Sequence, residues 1–167
     1  VIGTDANGCT SITSATVSVH SLPIVTIIGS SPICVGSTTI LTAAGAISYN
    51  WNTTNTNQTI SVSPSITTTY SVNGIDVNGC TGSSTATVIA NALPIANAGL
   101  DINICNGSSS QLNATGGTNY LWTPAIGLNN TSVANPIANS SATTTYTVTV
   151  SNGNGCSSTD DILITIN

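Results

Sequence analysis

The stretch ICVGSTTILTAAGAISYNW, residues Ile33–Trp51, aligns without a gap on ICNGSSSQLNATGGTNYLW, residues Ile104–Trp122. Each copy begins with Ile-Cys, ends at a tryptophan and alternates apolar with polar residues between them. This alternation is typical of half-buried β-strands. Two copies of such a pattern indicate two copies of one structural unit, so the repeat decides the fold.

The repeat extends beyond this stretch. TTTYSV at Thr67–Val72 corresponds to TTTYTV at Thr143–Val148, and each copy reaches an Asn-Gly-Cys triplet shortly afterwards. A third such triplet lies in residues 1–22, which match only the end of a unit. We therefore predict three segments cut from a longer array. They are the C-terminal hairpin of a preceding immunoglobulin-like repeat at 1–22, one complete repeat at 23–92 and a second at 93–167.

Both repeats are predicted to be β throughout, because β-branched residues and Gly, Pro or Asn-Gly turns recur at short intervals. Six or seven short strands around one tryptophan predict a tandem of immunoglobulin-like β-sandwiches. The expected core pairs Leu41 with Leu112, Trp51 with Trp122, Tyr70 with Tyr146, and Val72 with Val148. Strands are expected at 24–29, 37–43, 48–52, 58–63, 67–77 and 83–90, and then at 95–98, 102–104, 109–115, 119–123, 131–135, 143–151 and 159–166.

The composition excludes several classes of function. The chain has no lysine or arginine and a formal net charge of −5. Binding to nucleic acid or to anionic lipid needs clustered cations, so neither partner is expected. No apolar run approaches the length of a membrane span. With 40% apolar residues, however, the chain has enough material for a core.

No catalytic residues are predicted. His20, the only histidine, has Asp5 as its nearest acidic residue in sequence, at the far end of the same predicted hairpin. A Ser-His-Asp arrangement would need a histidine held by a carboxylate within a pocket. Asp160 and Asp161 are neighbours on a predicted strand, so their side chains point to opposite faces and cannot converge on a substrate.

Calcium is the one cofactor candidate. Asp76 and Asn78 offer oxygen ligands at alternate positions, as calcium loops do, and Asp101 could add a third ligand. Against this site, the second repeat has Asn152 in place of the aspartate, and the chain contains no glutamate. Because Asn-Gly is also the preferred pair for a tight hairpin turn, the turn interpretation is favoured over the metal.

The order P-x-A-x-A-G, I-C-x-G-S, L-x-A-x-G-G, Y-x-W, T-T-T-Y-x-V and N-G-C, from Pro94 to Cys156, resembles a known repeat type. It is similar to the PKD-like and immunoglobulin-like tandem repeats of giant Bacteroidetes cell-surface proteins. These include SprB-type gliding-motility adhesins and related type IX secretion substrates. The resemblance implies an extracellular, cell-surface location. The first repeat departs from the PKD-like opening, with PIVTIIGSSP where the second has PIANAGLDIN.

Three classes of function follow. The favoured one is a structural rod that carries an adhesin tip or forms a surface filament, with neighbouring repeats or filament subunits as partners. The second is a module that binds surface polysaccharide or another surface. The third is a non-catalytic spacer of a secreted enzyme.

The five cysteines could pair within repeats or between repeats. Pairing within each repeat would join Cys34 to Cys80 and Cys105 to Cys156. With immunoglobulin-like strand directions, however, these partners lie at opposite ends of a strand of about eight residues, about 25 Å apart. A disulfide tolerates only about 7 Å between Cα atoms. The end of the first repeat that carries Cys34 should abut the Asn-Gly-Cys end of the second across the short linker 91–94. We therefore expect an inter-domain bond between Cys34 and Cys156, with partners outside the chain for Cys9, Cys80 and Cys105.

Overall fold

The computed structural model describes residues 1–167, which contain sixteen β-strands and no helix. A helix long and apolar enough to span a membrane is absent. In residues 1–91 the strands are β1 (Ile2–Thr4), β2 (Thr10–Ile12), β3 (Thr26–Gly29), β4 (Ile33–Cys34), β5 (Thr39–Ala44), β6 (Ser48–Trp51), β7 (Thr59–Val62), β8 (Thr68–Ile75), β9 (Thr81–Val88) and β10 (Ala90–Asn91). The remaining strands are β11 (Ile102–Ile104), β12 (Ser110–Gln111), β13 (Asn119–Thr123), β14 (Ile137–Ala138), β15 (Thr144–Ser151) and β16 (Ser157–Ile166).

The chain forms two compact units. The first comprises Val1–Ile28, Thr42–Ile60 and Tyr70–Thr85. The second comprises Gly29–Leu41, Ser61–Thr69 and Ala86–Asn167. Both units draw on the first sequence repeat, so they are not the segments that the sequence suggests, and the division at 22/23 and 92/93 stays a prediction.

The second repeat is built from two sheets. One has the strand order β11-β16-β15-β13, and the other pairs β12 with β14. The hairpin of β15 and β16 is the longest ladder, running antiparallel from Thr144↔Ile164 to Ser151↔Ser157. The short strand β11 joins the free edge of β16 in parallel. Separating neighbouring strands into two sheets in this way is the arrangement of an immunoglobulin-like sandwich.

Alternate residues of these strands form the core of the second repeat. Trp122, Tyr146, Val148 and Ile164 are at most 1% exposed. The indole of Trp122 donates its Nε1–H to the carbonyl of Val133 at 3.0 Å, which satisfies its one polar group. The tryptophan is therefore a core residue, as its position in the repeat predicts.

The first repeat has equivalent strands. The sheets are β3-β5-β7 and β6-β8-β9, with β10 pairing in parallel with β4. Leu41, Trp51 and Val72 are at most 2% exposed and Tyr70 is 7% exposed, as the alternation predicts. The expected fold class, all-β with tandem immunoglobulin-like domains, is confirmed.

Three strand predictions in the second repeat need correction. Residues 131–135 were expected to form a strand, but the strand is β14, and Pro136 directly precedes it. The carbonyl of Thr131 accepts from Trp122, whereas the carbonyl of Ala134 accepts from Ala114. The stretch is therefore shared between two segments and forms no single ladder, and Pro136 has no N–H to donate. The expected strand 95–98 is reduced to the single bridge Asn97↔Thr115. The expected strand 109–115 contains only β12 and that bridge.

Residues 1–22 contain the hairpin of β1 and β2, which pairs Ile2 with Ile12. Every residue of this segment is exposed. The hairpin carries the first Asn-Gly-Cys triplet at its turn, as the repeat pattern predicts.

Candidate functional site

Cys34 and Cys156 form a disulfide with 5.6 Å between their Cα atoms. Both residues belong to the second compact unit. This is the pair that strand direction favours, and neither pair within a repeat is formed. Cys9, Cys80 and Cys105 are free thiols, and Cys9 and Cys105 are exposed. The disulfide joins residues from different sequence repeats, so we treat its surroundings as the candidate functional site and call them the cystine junction.

Cys34 is held by the parallel pair of β4 and β10, in which it lies opposite Asn91. Ile33 donates its N–H to Ile89 and Val35 donates to Asn91, both at 2.9 Å. Immediately afterwards the chain turns at Gly36, whose φ of 87° favours glycine. The backbone on both sides of Cys34 is therefore fixed by hydrogen bonds.

Cys156 lies at the end of a hairpin loop and is 1% exposed. Oδ1 of Asn152 accepts hydrogen bonds from the N–H groups of Asn154 at 3.0 Å and Cys156 at 3.1 Å. Its Nδ2 donates to the carbonyl of Ala92 at 2.9 Å, and Sγ of Cys156 lies 3.9 Å from the carbonyl of Asn91. One side chain thus both shapes the cysteine loop and contacts the segment that connects the two repeats.

The other two Asn-Gly-Cys loops have the same internal hydrogen bonds. Oδ1 of Asp76 accepts from the N–H groups of Asn78 at 2.9 Å and Cys80 at 2.8 Å. Asp5 does the same toward Asn7 and Cys9 at 2.9 Å. Either Asp or Asn can cap this turn, because an acceptor oxygen is all that the turn requires.

The turn geometry bears on the calcium candidate. One oxygen of Asp76 is occupied by the loop backbone, and Oδ1 of Asp101 accepts the N–H of Leu163 at 2.8 Å. No three His, Cys, Asp or Glu residues are grouped so that they could hold a metal ion. A calcium site of Asp76, Asn78 and Asp101 stays a prediction.

The remaining titratable residues have separate surroundings. His20 is exposed and lies outside any strand. Oδ2 of Asp160 accepts the N–H of Ala98 at 2.8 Å and so ties the start of the second repeat to β16. Asp161, its neighbour on that strand, is exposed. Asp160 therefore has a structural role.

A surface cleft of about 430 Å³ lies on the sheet β6-β8-β9. Asn50 and Asn73 face each other across β6 and β8, and the cleft carries no charged side chain. Sequence reasoning missed this cleft. The available signal was Asn50 itself, which stands where the second repeat has Leu121. The lining residues are Asn50, Asn73, Ile75, Thr81, Gly82 and Ser83.

No family model matches the chain. No curated protein matches it either. Among solved structures, it is similar to the N-terminal eight Ig domains of Down Syndrome Cell Adhesion Molecule at 14% identity, over 87% of this chain and 25% of that one, with a TM-score of 0.44. The insect immune protein hemolin matches at 11% identity, over 93% of this chain and 49% of that one, with a TM-score of 0.45.

A third similar structure comes from a 1.5-MDa bacterial ice-binding adhesin. It is 16% identical, with 99% of this chain and 72% of that chain covered and a TM-score of 0.36. The chain spans a quarter of the first of these three structures and about half of the second. At TM-scores below 0.5, these likenesses do not bear on function.

Proposed function

We propose that the chain is a structural repeat segment of an extracellular bacterial adhesin or surface filament, in which disulfides between successive repeats stiffen the array. The observation that carries this proposal is the Cys34–Cys156 bond, because it joins residues 122 positions apart that come from different repeats. Besides stabilising the fold, a cross-link between two repeats restricts their relative movement.

Two features of the cystine junction support a stiffening role. The disulfide is accompanied by the hydrogen bond from Asn152 to the connecting residue Ala92. A covalent bond and a hydrogen bond at separate points restrain a linker more than either does alone. Disulfides also persist mainly in oxidising compartments, which supports an extracellular location. The resemblance to Bacteroidetes surface repeats agrees with this location.

The same reasoning assigns no catalytic activity. His20 is exposed without a carboxylate partner, and Asp160 is used to bind the backbone of Ala98. Because the cystine junction joins repeats, the partners proposed are neighbouring repeats or filament subunits.

Antibody labelling of intact cells tests the location. An antibody against residues 93–167 should label the surface of unpermeabilised cells, and electron microscopy should show the label away from the outer membrane. Labelling that appears only after permeabilisation would refute the proposal.

Small-angle scattering tests the stiffening. The Cys34→Ala, Cys156→Ala double variant should show a broader distribution of interatomic distances than the oxidised chain, and an unchanged distribution would argue against stiffening.

A second candidate function is binding of a neutral glycan in the cleft at Asn50 and Asn73. Amide and hydroxyl groups in a charge-free cleft can pair with sugar hydroxyls. The second repeat supplies a matched substitution, since Asn50→Leu introduces the residue found at Leu121. Binding on a glycan array that Asn50→Leu abolishes would support this function, and the absence of binding to any neutral glycan would exclude it.

A further inference from the structure

The exposed thiol of Cys105 lies in the same framework as the bonded Cys34. Strand β11 pairs in parallel with β16 just as β4 pairs with β10. Asn106 donates its N–H to Asn167 at 3.2 Å, which corresponds to the bond from Val35 to Asn91. The following turn is also repeated, because Ser108 donates to the carbonyl of Cys105 at 3.0 Å. The backbone around Cys105 therefore has the same hydrogen bonds as the backbone around Cys34, which forms a disulfide in this chain.

The loops of Cys9 and Cys80 match the loop of the bonded Cys156. In all three loops the residue four positions before the cysteine donates its N–H to the cysteine carbonyl, at 2.9 Å for Asp5, 3.0 Å for Asp76 and 3.0 Å for Asn152. The glycines before Cys9, Cys80 and Cys156 have φ values of 81°, 79° and 77°. The free loops are thus shaped as the bonded one is.

We infer that Cys105 is a docking point for the Asn-Gly-Cys loop of a second copy of this repeat, and that the contact is directional. The bond between Cys34 and Cys156 shows which two kinds of site combine: a cysteine at the C-terminal end of a short parallel strand, and a cysteine in a hairpin loop. Cys105 is of the first kind, and Cys9 and Cys80 are of the second. Because unlike surfaces meet, successive copies can add head to tail in an open series. The inference rests on the proposed array function, and it specifies the Asn-Gly-Cys loop of a second copy as the partner of Cys105.

The bond forms by thiol–disulfide exchange with a small-molecule disulfide such as oxidised glutathione. The thiolate of Cys105 attacks one glutathione sulfur, breaks the glutathione disulfide and releases one glutathione thiolate. The thiolate of a loop cysteine then attacks the Cys105 sulfur of this mixed disulfide and displaces the second glutathione. Two protein thiols are oxidised to one disulfide, one glutathione disulfide is reduced to two thiols, and the two protons pass from the cysteines to glutathione.

Oxidation of the purified chain in a glutathione buffer tests the inference. Covalent oligomers are separated without reduction, and Asp-N plus chymotrypsin releases the linked peptides, since the chain has no Lys or Arg for trypsin. Tandem mass spectrometry then assigns the bonded cysteine, because Cys9 and Cys34 share one peptide. We expect inter-copy bonds from Cys105 to Cys9 or Cys80. Cys105→Ser should remove the covalent oligomers, and its exposed position makes the substitution harmless to the fold.

Bonds between two copies of Cys105, or between loop cysteines alone, would overturn the inference. So would covalent oligomers that persist in Cys105→Ser, or a chain that stays monomeric on oxidation. The same peptide maps report on the array proposal separately. If the Cys34–Cys156 peptide is present without directional bonds, only this inference fails. If that peptide is missing, the disulfide-stiffened array itself is wrong.

Discussion

The side-chain amide of Asn152 donates a hydrogen bond to the main-chain carbonyl of Ala92, 60 residues earlier, at 2.9 Å. The same side chain accepts the N–H of Cys156. The residue that shapes the cysteine loop therefore also holds the connecting segment against it.

Asn152→Asp should weaken this contact without disturbing the loop. A carboxylate keeps the oxygen that caps the turn but cannot donate to Ala92. Leaving that carbonyl opposite an anionic oxygen should cost about 1–2 kcal/mol. Urea unfolding followed by the fluorescence of Trp51 and Trp122 measures the change. The control is Asp76→Asn in the equivalent loop, which should change the stability by less than about 0.5 kcal/mol. Equal effects of the two substitutions would show that the Ala92 contact contributes nothing.

Removing the disulfide should lower stability. The Cys34→Ala, Cys156→Ala double variant should lose about 2–5 kcal/mol, because the cross-link restricts a long loop of the unfolded chain. Cys105→Ser is the control and should leave the urea midpoint unchanged, since this thiol is exposed and free. Thiol titration of the unfolded, unreduced protein should find three reactive cysteines out of five. Five reactive cysteines would contradict the bond.

Tyr146→Phe should destabilise the second repeat. The hydroxyl donates to the carbonyl of Ile126 at 2.8 Å, and the residue is fully buried. Deleting the hydroxyl removes the partner of a carbonyl in that environment, at a cost of about 1–2 kcal/mol. The matched control is Tyr70→Phe, because the hydroxyl of Tyr70 makes no hydrogen bond in the structure. Thermal unfolding should separate the two variants, and a larger loss for Tyr70→Phe would contradict this account.

Gly116→Ala should be more damaging than Gly107→Ala. Both glycines have positive φ, 106° and 82°, so each alanine incurs a backbone penalty of about 1 kcal/mol. At Gly116 the added Cβ would also collide with the carbonyl of Ile95, whereas at Gly107 nothing lies within 4 Å. The collision should raise the total for Gly116→Ala to about 3 kcal/mol. Circular dichroism melts measure both losses, and similar values would mean that the backbone relaxes around the new methyl group.

Calcium should leave the melting temperature unchanged. The Asp76 loop has the same hydrogen bonds as the Asn152 loop, in which the neutral amide already satisfies the turn. Melting curves in calcium and in EGTA should therefore coincide for the wild type and for Asp76→Asn. Stabilisation by calcium that Asp76→Asn removes would instead establish the metal site of Asp76, Asn78 and Asp101.

Features that depend on neighbouring residues could be predicted from the sequence. The two-residue period identified the buried faces of β8 and β15, including Tyr70 and Tyr146. The Asn-Gly pairs identified the positions of the hairpin turns, because their backbone preference is local, although only the glycines have positive φ. The prediction was wrong at residues 131–135, where the pattern suited a strand. The carbonyls of Thr131 and Ala134 accept hydrogen bonds from two different segments, so the strand forms only after Pro136, at β14.

The candidate site could be predicted from the sequence only in part. Counting cysteines left few partners for Cys34, and strand direction favoured Cys156. The cleft at Asn50 and Asn73 was missed, because two asparagines 23 positions apart form no recognisable motif until the register of β6 and β8 places them opposite each other.

The sequence by itself determined the repeat, the β class and the core positions, because alternation and turn chemistry act over a few residues. Only the tertiary structure decided the parallel pairs of β4 with β10 and β11 with β16, and the contact of Asn152 with Ala92. Those pairings join segments about 60 residues apart. Their formation depends on where the packed core brings each strand edge, and no local preference of the chain encodes that position.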